Sequence, residues 1–558
     1  AMGLEKQGYQ RMRDITEQYP NLPTAVVAMQ ELDKAGRSID DLQRGIIYYH
    51  ADENVAAQQA FRRAISTNKQ LNEVRYWAAL NYAAMGSNID AYRNLNQIIA
   101  EGPGATRYGD AMVEKGNLLQ SAGDEENAIS VYRQFTTQAP SDAQAPEAMG
   151  QIALLYERYG QLELAADAYK AASNAYSQNP NVAEYMLRSA VMSYRLGRYP
   201  ESMELLRTTM ARYPTGVEHD LAQLWLGKGQ LAAGNIVTGQ ETLKQLAARV
   251  PDTYEGTRAA EIAFDRNRVP LSKPFGKPLT PTVESSARAQ LAAEDWLRAQ
   301  ANISSTVDIR TISPTIMANP HLTRGTDLWR LGFTEDATDE FDGLRDDLGN
   351  NPIGMYQVAL YLRDLGAYRE SISTGAALLR SVNATNVSDA PAFLGQLVYP
   401  LYFADLIFAE ASNYALDPLL VASLIRQESL FETFAASTAS AFGLMQVVPA
   451  TGKEINTSLG WPQNYNEQDL LRPWVSVRFG TYYLAHQRDA LKGDLYATLA
   501  AYNGGPGMAM RWRERSGGDP DAFFLTVPLD GAGYRETQLY LRTVTTNYAI
   551  YHRLYAGD

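Results

Sequence analysis

Residues 116–140 read GNLLQSAGDEENAISVYRQFTTQAP. A small residue, Gly116, stands seven positions before a second glycine, Gly123. Ala128 follows that glycine by five positions, Tyr132 by nine and Pro140 by seventeen. The register recurs every 37 residues, at Gly86, Gly123, Gly160, Gly197 and Gly234. The leading small residue is Ala79, Gly116, Ala153, Ala190 or Gly227, and the second is Ala91, Ala128, Ala165, Ser202 or Gly239. The larger apolar residue is Leu95, Tyr132, Tyr169, Leu206 or Leu243. Pro103, Pro140, Pro214 and Pro251 close four units, and the third has Ser177 there, its proline slipping to Pro180. Small residues let two antiparallel helices cross closely, the glycine breaks the chain between them, the larger residue fills the groove, and proline stops the second helix.

The pattern resembles the tetratricopeptide repeat, with a period three residues longer than the usual 34. Upstream of about residue 75, Ala56 and Phe61 are expected in further, degenerate hairpins. Pro270, Pro274, Pro278 and Pro281 read as a stiff linker or seam. Helical pattern resumes at Val283. Gly332, Ala337 and Phe341 repeat the +5 and +9 offsets, and Gly366 follows Gly332 by 34 residues. Strand signals are sparse, so the expected fold is all-α. The expected domains are a repeat superhelix over 1–270, a linker and second solenoid segment over 271–395, and a C-terminal domain over 396–558. Solenoids offer long concave surfaces, which serve either as a binding groove or as a scaffold placing another domain.

The chain has 558 residues, with 63 acidic against 50 basic side chains and a net charge of −13. That balance argues against nucleic acid as a partner, since phosphate binding needs fields of Lys and Arg. No apolar run approaches the roughly 18 residues of a membrane span. With no cysteine, thiolate catalysis, thiolate metal sites and disulfides are excluded. His50, His219, His321, His486 and His552 are scattered without i, i+4 spacing, so a helix-borne zinc motif is absent. The start, Ala1-Met2-Gly3, is expected to be a cloning scar. A removed signal segment would leave it, and so would trimming of a cytoplasmic protein.

The C-terminal segment carries the chemistry. Asp417-Pro418 suits a helix start, Asp as cap and Pro in the first turn. Leu420, Val421, Leu424 and Ile425 form an apolar stripe whose continuation lands on Glu428. A carboxyl buried without a partner stays protonated near neutrality, the condition for a general acid. The other reading of the stripe alone is a structural Glu bonded to backbone or to Arg426.

Around it stand Arg426-Gln427-Glu428-Ser429-Leu430-Phe431, then Ser437-Thr438-Ala439-Ser440-Ala441-Phe442-Gly443-Leu444-Met445-Gln446-Val447-Val448-Pro449. Later come Ala501-Tyr502-Asn503-Gly504-Gly505-Pro506-Gly507 with Arg511-Trp512, and last Glu536-Thr537-Gln538-Leu539-Tyr540-Leu541. In order and spacing the series resembles the catalytic domain of soluble lytic transglycosylases, the goose-lysozyme-like enzymes that cleave peptidoglycan, over about 396–558. The resemblance implies a lysozyme-like α-helical domain with Glu428 as catalytic acid. It implies Ser437 facing the sugar, Met445 and Gln446 at the cleft, Tyr502 with its hydroxyl near the acid, Asn503 beside it, and Glu536 closing the far wall. It implies peptidoglycan glycan strands as substrate, an exported, cell-envelope location (periplasmic or outer-membrane associated), and possible cell-wall protein partners on the repeats. Ser440 stands where the family usually has Gly, Ser476-Val477 where Asn-Ile is usual, and Gln538 where Arg is common.

Glycoside cleavage normally uses two carboxylates. The motifs supply one on the buried stripe, and Glu432, one turn on, is expected to be exposed. One acid suffices if the 2-acetamido carbonyl of N-acetylmuramic acid attacks the anomeric carbon and the sugar's 6-hydroxyl then displaces it, giving a 1,6-anhydro ring. No metal or cofactor is required. A hydrolytic muramidase and a non-catalytic peptidoglycan-binding scaffold are the alternatives. Gly504-Gly505-Pro506-Gly507 lacks the Lys-Ser/Thr ending of a phosphate loop and reads as a tight turn. Trp461, Trp474 and Trp512 are expected in the core rather than on sugar rings. Asn466, Glu467 and Asp469 lack EF-hand spacing. Residues from about 283 onward are expected to keep a folded cleft without the repeats.

Overall fold

At Gly116 a Cβ would come within 2.2 Å of the Tyr132 ring. The helices Tyr108–Ser121 and Glu125–Gln138 that carry them cross as closely as the missing side chain allows. Gly227 stands in the same relation to Leu243 at 2.5 Å. The registered side chains Ala79, Ala91, Leu95, Ala128, Ala153, Ala165, Tyr169, Ala190, Ser202 and Leu206 are all fully buried. The five register glycines take φ between +69° and +85°, the left-handed conformation that ends the first helix of each pair.

The same small-to-large pairing reaches beyond the five units. A Cβ on Gly45 would lie 2.4 Å from Phe61, and one on Gly325 2.7 Å from Phe341. The hairpin expected upstream is Asp41–His50 with Asn54–Ser66. The small residue in register is Ala57, wholly buried twelve positions after Gly45 and four before Phe61, rather than the expected Ala56, which is half-buried. In the middle segment Pro320–Leu331 pairs with Thr334–Leu348, and Pro352–Leu365 with Tyr368–Ser381.

The structure, a computed structural model, describes residues 2–67, 69–264 and 283–556. The proline-rich seam at Pro270–Pro281 lies outside the described residues. The fold is all-α: among the described residues there is no strand, only isolated bridges in the loop after Glu428. No described helix is long and apolar enough to cross a membrane. The chain divides into two compact units, Ala1–Leu205 and Leu206–Asp558.

Within the second unit one core runs through the last repeat helices and the C-terminal helices. Leu224, Leu243, Leu246, Tyr254 and Ala259 belong to the same apolar cluster as Leu420, Leu424, Phe479 and Leu541. A buried ionic cluster joins the same elements. The Asp521 carboxylate, fully buried, accepts from Lys228 Nζ (2.7 Å), Arg258 Nε (2.8 Å) and the Tyr254 hydroxyl (2.6 Å). The Arg258 and Lys228 charges hold its pKa well below the usual carboxylate range, against the desolvation that opposes them. Glu255 pairs with Arg542, and Asp252 with Arg553, on the C-terminal helix Arg535–Tyr555.

These contacts count against the expectation that a chain cut at about 283 keeps a folded cleft. The cut removes Lys228, Tyr254 and Arg258 from Asp521 and bares the apolar surface they cover. A buried ion stripped of its partners costs about 3–5 kcal/mol. Asp521→Asn in the full chain should therefore destabilise the second unit by about 3–5 kcal/mol, because Arg258 keeps its burial and loses its buried carboxylate partner, retaining the partly exposed Glu261. Denaturant unfolding followed by tryptophan fluorescence measures this, and a change below about 1 kcal/mol would show the cluster to be dispensable.

Candidate active site

The helix Pro418–Ser429 starts as its sequence requires. Asp417 Oδ1 accepts the Leu419 amide at 2.8 Å, while Oδ2 accepts the Tyr548 hydroxyl at 2.8 Å and lies 3.0 Å from His552 Nε2. Leu420, Val421, Leu424 and Ile425 are wholly buried, and the stripe delivers Glu428, half-buried, near the helix end. Desolvation pushes the Glu428 carboxyl up to about 7, the negative Glu536 adds to this, and a hydrogen bond from Tyr540 opposes it. Arg426 is engaged elsewhere: its Nε donates to the Val398 carbonyl (3.0 Å) and its guanidinium lies 4.1 Å from the centre of the Tyr399 ring.

Tyr540 is the residue that sequence reasoning passed over. Its hydroxyl donates to Glu428 Oε1 at 2.6 Å across 112 positions of chain. It stands in the fourth motif, four residues after Glu536, hence on the same helical face. Glu536 itself is exposed, in the first turn of Arg535–Tyr555.

The loop after the acid helix is built on backbone. At Gly443, φ is +75° and a Cβ would sit 2.0 Å from the Leu470 carbonyl, so only glycine fits. Gln446 staples the loop, donating through Nε2 to the carbonyls of Gly443 (2.9 Å) and Ala435 (3.1 Å). Ser437 is exposed, and its Oγ accepts the Ala441 amide at 3.0 Å. Ser440, the departure from glycine, takes φ +57° in the turn closed by its amide on the Ser437 carbonyl.

Met445 is placed by two partners. Its amide donates to Ser476 Oγ (3.1 Å), and its carbonyl accepts the Tyr502 hydroxyl (2.8 Å). The departure at Ser476 thus retains a hydrogen-bonding group under the loop. The Met445 side chain is fully buried beside Gly480 and Thr481, so its backbone rather than its thioether turns toward Tyr502. Burial and the nearby Glu428 charge push the Tyr502 hydroxyl well above its ordinary range. Asn503 Oδ1 accepts the Thr537 hydroxyl at 2.6 Å, and Gln538 Nε2 donates to the Phe524 carbonyl at 2.8 Å. Of Gly504–Gly507, Gly504 ends the helix Leu495–Gly504, Pro506 and Gly507 open Pro506–Ser516, and Gly505 alone makes the break between them at φ +85°.

Two expectations are corrected. Glu432 is not exposed but half-buried: its Oε1 accepts the Phe434 amide at 3.2 Å, and desolvation raises its pKa. Its charged neighbours are Arg369 and Glu370 of the middle segment, because the chain turns at Leu430 and Phe431, both at positive φ. Trp474 is not in the core but 51% exposed, since it occupies the first turn of Pro473–Ala490. Trp512 is wholly buried with Nε1 on Asp530, and Trp461 is half-buried against Arg478. Asp469 caps a 3-10 turn through the Asn466 amide. Among the described residues no group of three acidic or histidine side chains is disposed to hold a metal ion.

Residues 405–523 match the transglycosylase SLT domain family. Over 162 residues the chain is 30% identical to the soluble lytic murein transglycosylase of Escherichia coli K12, covering 29% of this chain and 24% of that protein. Over 117 residues it is 35% identical to the membrane-bound lytic murein transglycosylase C of Actinobacillus pleuropneumoniae serotype 5b, covering 20% of this chain and 32% of that protein. The matches thus span about a quarter to a third of those relatives' length. An inactive mutant of the lytic transglycosylase Slt from Pseudomonas aeruginosa shares the fold, with a TM-score of 0.58 at 18% identity over 98% of this chain and 89% of that one. With the four motifs gathered around Glu428, these likenesses assign the C-terminal segment of the chain to the transglycosylase SLT domain family.

Proposed function

We propose that this chain is a peptidoglycan lytic transglycosylase of the cell envelope, with Glu428 as its single acid and base. The observation that carries the reading is a half-buried carboxyl pushed up to about 7 and held at 2.6 Å by Tyr540, among the motifs of the SLT family. Near neutrality such a group populates both protonation states, which a residue acting first as acid and then as base needs.

In the proposed sequence Glu428 gives its proton to the oxygen between N-acetylmuramic acid and N-acetylglucosamine as the C1–O bond breaks. The 2-acetamido carbonyl oxygen bonds to C1. Glu428, now a carboxylate, takes the proton of the 6-hydroxyl, and O6 displaces the acetamido oxygen from C1. The acid is restored and no water is consumed. Tyr540 fixes the carboxyl, and Tyr502, anchored on the Met445 carbonyl, walls the site beside it. Ser437, Gln446, Asn503 and Glu536 are the proposed substrate contacts. Glycan strands are the proposed partner of the cleft, and the repeats are a proposed docking surface for polymer or cell-wall proteins.

A hydrolytic muramidase reading draws on Glu536, the carboxylate whose charge Glu428 feels. The digest decides between them. An anhydro end is one water, about 18 Da, lighter than a reducing end. Mass spectrometry of products from purified sacculi should show 1,6-anhydro-N-acetylmuramic acid ends. Predominantly reducing ends would make the enzyme a muramidase.

Glu428→Gln should lower turnover by about 10²-fold or more while circular dichroism stays unchanged. Glu432→Gln should remain within a few-fold, because its carboxylate faces Arg369 and Glu370. Equal losses in the two variants would revive a two-carboxylate mechanism.

The pH dependence has a definite sign. The folded-state pKa of Glu428 is raised, so the proton needed for the first step is bound at weakly acid pH and lost as pH rises through about 7. kcat/KM should fall on that alkaline limb. A profile flat from pH 5 to 9 would contradict Glu428 as the acid.

A further inference from the structure

The helix carrying Glu428 is gripped on both sides of the acid by a short segment that precedes the matched family domain, Val398–Phe403. Two residues before Glu428, Arg426 donates to the Val398 carbonyl at 3.0 Å and lies 4.1 Å from the centre of the Tyr399 ring. Three residues after Glu428, the fully buried Phe431 meets the Tyr402 ring edge-on, with centroids 5.6 Å apart at 89°. Between them the chain turns through Leu430 at φ +50° and Phe431 at φ +63°. Two consecutive side-chain-bearing residues in the left-handed region persist only where their surroundings hold them.

The same segment also grips the helix that carries Tyr540. The Tyr551 hydroxyl donates to the Pro400 carbonyl and that of Tyr555 to the Tyr399 carbonyl, each at 2.8 Å. Behind the segment, Tyr368 of the helix Tyr368–Ser381 stacks on Tyr402 with centroids 4.0 Å apart and planes at 20°. Its edge meets Phe403 at 5.6 Å. The stack therefore runs from the middle solenoid segment, through Tyr402 and Phe431, to the turn that ends the acid helix.

We propose that Tyr402, backed by Tyr368, is a positioning residue for Glu428: the stacked rings hold the Leu430–Phe431 turn and so keep the acid against Tyr540 and out of water. The catalytic machinery then begins at Tyr368, ahead of the family domain at 405. The proposal rests on Glu428 being the acid for its effect on turnover, but the placement of the carboxyl is measured without any substrate.

The test uses the full-length chain and two readouts. The first is the titration of the Glu428 side-chain carboxyl by ¹³C NMR, assigned by the signal that Glu428→Gln removes. The groups facing that carboxyl are Tyr540, Tyr502 and Glu536, and none of them is substituted in the variants used. Tyr402→Leu should bring the midpoint down from about 7 by about one pH unit, because the desolvation relieved as water reaches the carboxyl outweighs the Tyr540 hydrogen bond that is lost. It should lower kcat on sacculi by about 10-fold with little change in KM. Tyr402→Phe, which keeps the ring, should restore both. Tyr368→Leu should move both the same way by less, and it carries the test if Tyr402→Leu does not fold. An unmoved midpoint in a folded Tyr402→Leu or Tyr368→Leu chain overturns the proposal. A shifted midpoint in a chain whose wild type cleaves no peptidoglycan upholds the positioning and refutes the proposed function instead.

Discussion

A carboxyl kept from water at the end of an apolar helix is the constraint from which the site follows. The stripe Leu420, Val421, Leu424, Ile425 leaves Glu428 no access to bulk solvent on its core side, and desolvation alone would drive the group neutral. The hydrogen bond from Tyr540 returns part of that loss, which leaves the group poised near 7. The surrounding polar groups are occupied with one another: Tyr502 with the Met445 carbonyl, Gln446 with two backbone carbonyls, Asn503 with Thr537. Groups fixed in this way cannot swing to neutralise the acid, and they present a pre-organised wall to whatever enters.

The repeat was legible because its physics is local. A small residue and a large one sixteen positions apart must face each other across any helix pair of this length, and the sequence states both. The same offset relates Gly45 to Phe61 and Gly325 to Phe341, so the pattern extends beyond the 37-residue register. Glu428 was legible for a similar reason, since helical period carries an apolar stripe to it. Tyr540 was not, because a bond spanning 112 residues leaves no periodic trace. Glu432 was misread because the general preference of Glu for solvent carries no sign of the turn at Leu430 and Phe431 that sets it beside Arg369 and Glu370. Trp474 was misread because aromatic character does not distinguish a first-turn position from a core one.

The ionic cluster at Asp521 escaped for a further reason. Its partners Lys228, Tyr254 and Arg258 sit on helices whose sequence reads as ordinary repeat, and nothing local marks a lysine that will be buried. The register itself nevertheless carries a sign. Thirteen positions before the turn glycine stand Glu73, Asp110, Glu147 and Glu184 in the first four units, but Leu221 in the fifth.

That exchange has a physical consequence within the second unit. The fifth unit's first helix, Val217–Ala232, is buried without interruption from Leu221 to Gln230, all round its circumference. A helix that has only its own hairpin partner to cover it buries one stripe. One buried on every side must be enclosed by further elements, and here they include Pro520–Thr526, whose Asp521 meets Lys228. A carboxylate at position 221 would have been desolvated with no cation assigned to it, whereas leucine adds apolar area to the shared core. The fourth unit's first helix, Val182–Arg195, is likewise buried without interruption from Tyr185 to Ser193, yet it keeps its carboxylate because Arg188, one turn on, pairs with Glu184 at 2.8 Å. The fifth unit has Trp225 in place of that arginine, so the exchange to leucine follows the loss of the cation rather than burial alone.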